Sequence, residues 1–295
     1  MELRVLRYFQ TVVTELNISR AAKQLHVSQP TISRQLRELE AELGVTLFDR
    51  GNRTIKLTAA GEYFSHRVNQ ILDLTDKTVE NINETSDISG SVTIGSAESR
   101  SFLNIAQAIN TLQETYPNIT FNINSANAND IHTHLKSGNF DFGIVMDPVD
   151  KSDYNFLRLP GESRWGLLVP NSSPLAKRDH LSLTDLEHQN LIVSRQSGVN
   201  NLLQDWFGDS TPKFKTVATY NLLYNASLLV SAGVGYALCI DGVINTNQSD
   251  LTFVPLKPRL TVGISLIWVK NQRLSPAANA FLKQLSANLN LPLPK

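Results

Sequence analysis

A chain of 295 residues is longer than one comfortable hydrophobic core, so two or three domains are expected. Its 27 Lys and Arg balance 27 Asp and Glu, which at first sight argues against a nucleic-acid partner, and its single cysteine excludes an intrachain disulfide and a cysteine-rich zinc site. No apolar run is long enough to span a bilayer, and Met1 leads into a charged amphipathic helix rather than a secretory signal, so the cytoplasm is the expected compartment.

Leu6, Phe9, Val13 and Leu16 predict an apolar stripe on the first helix. A pair of short helices follows, ISRAAKQLHVSQPTISRQLRELEAEL from Ile18 to Leu43. Ala21, Ala22 and Leu25 form the apolar face of the first of these, Val27 and Ser28 turn the chain, and Ser28 is a good N-cap. Pro30 surrenders only an amide proton that would have had no intrahelical partner, so the second helix begins at Gln29. Ile32, Leu36, Leu39 and Leu43 recur at helical spacing on one face, leaving Gln29, Thr31, Ser33, Arg34 and Arg37 on the other. Small alanines, a tight turn and a second helix with polar and arginine side chains near its start are what a helix-turn-helix needs to enter a major groove. After Gly44, Asp49-Arg50-Gly51-Asn52-Arg53 reads as a hairpin turn between two short strands, a wing with two arginines. Up to Thr58 there are nine Lys and Arg against six Asp and Glu, so the neutral total conceals a basic N-terminal part.

The segments MELRVLRYF, SRAAKQLHVSQPTISRQLRELEAELGVTLFDR and LTAAG, between Met1 and Gly61, closely resemble the N-terminal domain of LysR-type transcriptional regulators. The resemblance implies an α/β protein with a winged helix-turn-helix over residues 1–58, a dimerising linker helix and hinge over 59–89, and a two-lobed effector domain of periplasmic-binding-protein type over 90–295. Lobe I would comprise about 90–162 and 268–295, and lobe II about 163–267. Carried over by position, Ser28, Gln29, Pro30, Thr31, Ser33, Arg34 and Arg37 would read bases and phosphates. Ser19 and Arg20 would touch the DNA backbone, and Arg50 and Arg53 would belong to the wing. The implied partners are a promoter with an interrupted inverted repeat, a small-molecule effector, further copies forming a dimer and then a tetramer, and RNA polymerase. No cofactor, metal or membrane is implied.

From Ala59 to about Asn83 the pattern is helical. Leu57, Phe64, Ile71 and Thr78 fall seven apart, as do Val68, Thr75 and Ile82, a coiled-coil seam weakened by threonines; a surface helix lying on its own domain would show the same residues. Asp87 to Gly90 reads as a hinge. Beyond it strands alternate with helices, which argues for parallel sheets. SVTIG, ITFNINSA and DFGIVMD are strands of a first set, with helices from Ser101 to Tyr116 and through His134 and Leu135. RWGLLVP (Arg164 to Pro170) is a crossing strand, and LIVS, a helix near Val199, the helix YNASLLVSAG and the strand GYALCI make the second set. LTVGISLIWV (Leu260 to Val269) crosses back, and a last helix, Pro276 to Leu289, returns to the first lobe.

In such sheets a ligand sits beyond the carboxyl ends of the strands. Two strand-to-helix turns there, Gly95 to Ser101 (with Ser96, Glu98, Ser99 and Arg100) and Ser194 to Gly198 (with Gln196 and Ser197), offer free amides and helix N-termini suited to a carboxylate. Serine capping explains either turn alone; both at equivalent places favour a site. Ser99 falls where the family's first lobe offers a hydroxyl, and Ser125, Asp147, Tyr220 and Asn221 could line the same cleft. Glu98 and Asp147 suit a purely anionic ligand poorly; pointing inward, they would call for an amine or hydroxyls.

Catalytic patterns are missing: there is no phosphate-binding Gly-x-x-x-x-Gly-Lys loop and no Gly-x-Ser-x-Gly elbow. Gly233-x-Gly235 follows a helix and reads as its stop, and His132 and His134, two apart in a helix, do not make a metal pair. Cys239, in an apolar strand, reads as a packed thiol. The sequence reading is therefore a ligand-responsive DNA-binding regulator, against the alternatives of an enzyme or of a small-molecule-binding protein without DNA specificity.

Overall fold

A computed structural model describes residues 1–50, 55–82, 88–195, 206 and 214–293, the side chains of residues 50 and 80–82 excepted, and divides the chain into two compact units, Met1–Ile82 and Asn83–Lys295.

The first unit is built from four helices and a hairpin: α1 (Leu3–Glu15), α2 (Ile18–Gln24), α3 (Gln29–Leu43), β1 (Phe48–Arg50), β2 (Ile55–Leu57) and α4 (Ala59–Ile82). Each short helix starts where a side chain can take up an orphan amide. The Asn17 side chain accepts from Arg20 N at 3.0 Å, and Ser28 Oγ from Thr31 N at 3.3 Å. Gly44 ends α3 at φ 68°, a left-handed turn that a glycine adopts at no steric cost. The chain is then held back against α3, because Glu40 accepts from the amides of Leu47 and Phe48 at 2.8 and 3.1 Å. β1 pairs with β2 antiparallel from Phe48↔Leu57 to Arg50↔Ile55, the expected hairpin. Thr58 starts α4 by accepting from Gly61 N, and α4 crosses Leu47 so closely that a Cβ on Gly61 would stand 2.0 Å from the Leu47 carbonyl oxygen.

Phe9 is the centre of this core, with ring centroids 5.2 Å from Phe48 and 5.0 Å from Phe64. Two apolar stripes differ from expectation at their ends. Val5, Leu6, Phe9 and Val12 are buried, whereas Leu16 occupies the left-handed position after α1 and is exposed, because the helix stops one residue before it. On α3 the buried set is Ile32, Leu36 and Leu39; Leu43, in the last turn, is partly in solvent. The expected α4 seam is also divided. Val68 and Leu72 are buried in this unit's own core and Phe64 packs against it, while Ile71 and Leu74 are exposed on another face.

The second unit contains one mixed sheet with the order β4-β3-β5-β11-β6-β9-β7-β8, with β10 pairing β6. Its first lobe comprises β3 (Gly90–Ser96), α5 (Phe102–Thr115), β4 (Ile119–Ser125), α6 (Ala128–Lys136) and β5 (Phe142–Met146). β6 (Tyr154–Pro170) leads into the second lobe, formed by α7 (Leu183–Leu186), β7 (Asn190–Ser194), β8 (Lys215–Tyr220), α8 (Leu223–Ser231), β9 (Tyr236–Ile240) and β10 (Leu251–Pro255). β11 (Thr261–Val269) crosses back, and α9 (Pro276–Leu289) closes the first lobe, where Phe281 packs on Phe142 and Phe121 at 5.3 and 5.5 Å. In the second lobe Leu167 and Val169 face one core and Leu168 the other, so this sheet is covered on both sides.

Parallel pairing holds within each lobe, β4 and β5 on β3, and β8 and β9 on β7. The crossings are antiparallel to their neighbours, which makes the sheet mixed rather than parallel as expected. β6 also begins ten residues before the expected Arg164, and β8 and β10 were not anticipated. The helix expected near Val199 lies outside the described residues, as does Asp87 of the expected hinge at 87–90, whose last residue, Gly90, already belongs to β3. None of the helices with described residues is long and apolar enough to cross a membrane.

Candidate nucleic-acid interface and ligand cleft

Because Ile32, Leu36 and Leu39 anchor one side of α3, its other side is fixed in orientation and turned to solvent. Gln29, Pro30, Arg34 and Arg37 are exposed there, with Thr31 and Ser33 half-buried between them. Local contacts hold these groups without consuming them. Ser28 Oγ lies 2.7 Å from Thr31 Oγ1, Arg37 Nε donates to the Ser33 carbonyl at 3.2 Å, and Arg34 Nε stands 3.8 Å from the Glu38 carboxylate. Such exposed pairs are weak, so phosphates or base edges can replace them. Ser19 is exposed beside the Asn17 cap, while Arg20, also exposed, is drawn back to the end of α1, donating to the Glu15 carbonyl and lying 3.5 Å from its carboxylate. Arg50 ends β1; Arg53 lies outside the described residues. Lys23 and His26, at the end of α2 and in the turn, and Lys56 on β2 are further exposed polar groups on these elements. A basic-residue count contains the two lysines but does not place them.

In the second unit the carboxyl ends of β3, β4 and β5 and those of β7, β8 and β9 border one narrow cleft, beside the crossing strand β6. Of the expected residues, Glu98, Ser194, Tyr220 and Asn221 line it. Ala126, Met146, Trp165, Ile240 and Val243 supply most of its apolar wall.

Glu98 is the most telling of these. Its Oε2 accepts from Leu223 N, the first amide of α8, at 2.9 Å. Leu222 precedes that helix and makes no side-chain cap, so an acidic residue 125 positions away in sequence occupies the positive end of the helix dipole. Tyr220 donates its hydroxyl to the Leu238 carbonyl at 2.8 Å, and burial, more than its neighbours Cys239 and Glu98, holds its pKa well above the ordinary phenol value. The Cys239 thiol is pushed up to about 12 by burial, which makes it a neutral wall of the cleft. Trp165 is 3 % exposed, and its Nε1 has no hydrogen-bond partner among the described residues.

Those of the remaining expected residues that are described lie elsewhere. Ser96 is buried and donates to the Ala97 carbonyl at 2.9 Å. Ser99 Oγ is buried without a partner among the described residues, yet Ser99 does not line the cleft. Arg100 is exposed in an adjoining groove with Arg164 and Asp241, against Gly242. Ser125 is exposed at the end of β4. Asp147 does not line the cleft: it pairs with Lys151, four residues on, and lies 3.5 Å from Ser265 Oγ, so its charge is answered within the first lobe. Gln196 and Ser197 are outside the described residues. His132 and His134 pack against different aromatic rings, Tyr154 edge-on and Phe140 at a tilt. Trp165 went unmarked in the sequence because its place in an apolar strand carries no ligand signal.

Residues 3–62 match the family described as bacterial regulatory helix-turn-helix protein, lysR family, and residues 85–290 match the LysR substrate binding domain. The transcriptional dual regulator GltC of Bacillus subtilis is 32 % identical over 292 residues, covering 95 % of each chain. The Hca operon transcriptional activator HcaR of Escherichia coli is 28 % identical over 288 residues, covering 96 % of each. Among solved structures, full-length CbnR complexed with its target DNA superposes with a TM-score of 0.75 at 24 % identity, over 98 % of this chain and all of that one.

Proposed function

This chain belongs to the LysR family of DNA-binding transcriptional regulators, and from that premise we propose how its residues divide the work. α3 enters the major groove with Gln29, Pro30, Thr31, Ser33, Arg34 and Arg37 towards base edges and phosphates. Ser28, Ser19 and Arg20 contact phosphates at the starts of α3 and α2, and Arg50 and Arg53 bring the wing to an adjacent stretch of backbone. The observation that carries this reading is the arrangement of α3, whose apolar side is buried while Gln29, Arg34 and Arg37 stand exposed on a rigid support.

Two copies associate through α4, where Tyr63, Ile71 and Leu74 are exposed on one stripe separate from the Val68 and Leu72 side. A dimer, and from it a tetramer, places two readers on an interrupted inverted repeat. A small-molecule effector binds between the lobes, shifts the population of arrangements available to the dimer, and so alters DNA bending and the access of RNA polymerase in the cytoplasm. Ser96 and Ser99 do not line the cleft, which removes half of the support for an anionic effector, and Glu98 on the α8 terminus favours the opposite charge.

Footprinting on genomic fragments retained by the purified chain tests the scheme. Two protected half-sites about one helical turn apart or a multiple of it are expected; protection without any recurring inverted repeat would refute it.

A further inference from the structure

We infer that the cleft selects a small molecule of net charge zero or plus one, which donates a proton or hydrogen bond to Glu98 and offers an uncharged acceptor to Trp165 Nε1, and that Glu98 excludes simple carboxylates. This rests on the reading of the cleft as the effector site.

Four features of the wall converge on that ligand. The place most suited to an anion, the N-terminus of α8, is already taken by Glu98, whose Oε2 accepts from Leu223 N. Glu98 lines the cleft, and its second carboxylate oxygen makes no hydrogen bond among the described residues, so it remains an acceptor for a ligand donor. No Lys, Arg or His lines the cleft among the described residues, and the surrounding side chains are mostly apolar, so a second carboxylate would meet an uncompensated like charge in a poorly screened space. Finally, the indole N–H of Trp165 is buried and unpartnered. An indole can only donate, so a buried one without an acceptor marks a place where a ligand oxygen would relieve a desolvation cost. The Tyr220 hydroxyl does not compete for that role, since its proton is committed to Leu238 O.

Three probes share one body and differ in charge: 2-phenoxyethylamine, 2-phenoxyethanol and phenoxyacetate. All carry an ether oxygen for Trp165. Titrated calorimetrically into the full chain, the amine or the alcohol is expected to bind at least about ten-fold more tightly than the acid. Glu98→Gln keeps an acceptor for Leu223 N and removes the charge, so it should shrink that preference to about three-fold or less, chiefly by admitting phenoxyacetate. Trp165→Phe should weaken all three alike. Phenoxyacetate binding to the wild-type chain as tightly as the amine and the alcohol, or no binding of any probe, would overturn the inference. Ala126→Phe, which projects a ring into the cleft, separates the two levels. If it abolishes binding, the cleft is the site and only the ligand's charge is at stake; if binding survives it, the assignment of the cleft fails, and this inference with it.

Discussion

The DNA-reading helix and the ligand cleft are built by opposite means. α3 gathers its working residues from one contiguous stretch, Ser28 to Arg37, and presents them outward from a buried apolar seam. The cleft draws Glu98, Trp165, Tyr220 and Leu223 from four separate elements and partly encloses them. A reader of DNA must expose polar groups that water satisfies until the duplex arrives, so its residues can be neighbours in sequence. A selective pocket must exclude water and leave few groups unsatisfied, so it needs walls from several directions.

The largest effect expected on the first side of this contrast comes from its support. Phe9→Ala removes the ring against which Phe48 and Phe64 pack and should destabilise Met1–Ile82 by about 3–5 kcal/mol. Differential scanning calorimetry should show the transition of the second unit little changed; a common loss in both would mean that the two units melt as one. Next, Arg34→Ala should weaken operator binding by about 1–3 kcal/mol if the arginine reads a guanine, with an unaltered circular dichroism spectrum. An unchanged mobility-shift titration would remove Arg34 from the reading face. On the cleft side, Tyr220→Phe leaves the Leu238 carbonyl without its donor and should cost about 1 kcal/mol in urea unfolding, without effect on operator affinity.

The two smallest effects concern protonation. With its pKa pushed up to about 12, Cys239 should resist alkylation by iodoacetamide at pH 8 in the folded chain and react promptly in urea; rapid native labelling would show an open cleft floor. Asp185 is held below the usual carboxylate range chiefly by the Ser182 hydroxyl at 2.7 Å, and by the Ser182 amide at 2.8 Å. Its folded value lies below its unfolded one, so the stabilisation is present above the unfolded value, near 4, and is lost as pH falls through the folded value. Asp185→Asn should therefore lower stability at pH 7 and make little difference in strong acid.

What could be read in the sequence follows the same contrast. The α2–α3 pair, the Ser28 cap and the hairpin after Gly44 are set by residues within a few positions of one another, and their types and spacings sufficed. The first half of β6 was hidden because Pro160-Gly161 resembles a turn; it is instead a bulge inside a strand, where pairing with β11 jumps from Ser163 to Leu159. β8 is an edge strand with no fully buried residue, so its KTVATY run lacks an apolar signature. In the cleft, Tyr220 and Asn221 could be placed by lying just before an apolar helical run, although β8 itself could not be read. Glu98 capping α8 could not, since nothing local in either segment encodes a contact across 125 residues.

The most direct measurement of the central claim is a competition titration of the purified full chain, at fixed physiological salt, between its own promoter fragment and a scrambled duplex of equal length. A reader shaped by α3 should prefer the promoter by about a thousand-fold or more, a preference that Arg34→Ala should reduce by about 5- to 150-fold. An equal, salt-sensitive affinity for both duplexes would contradict the account.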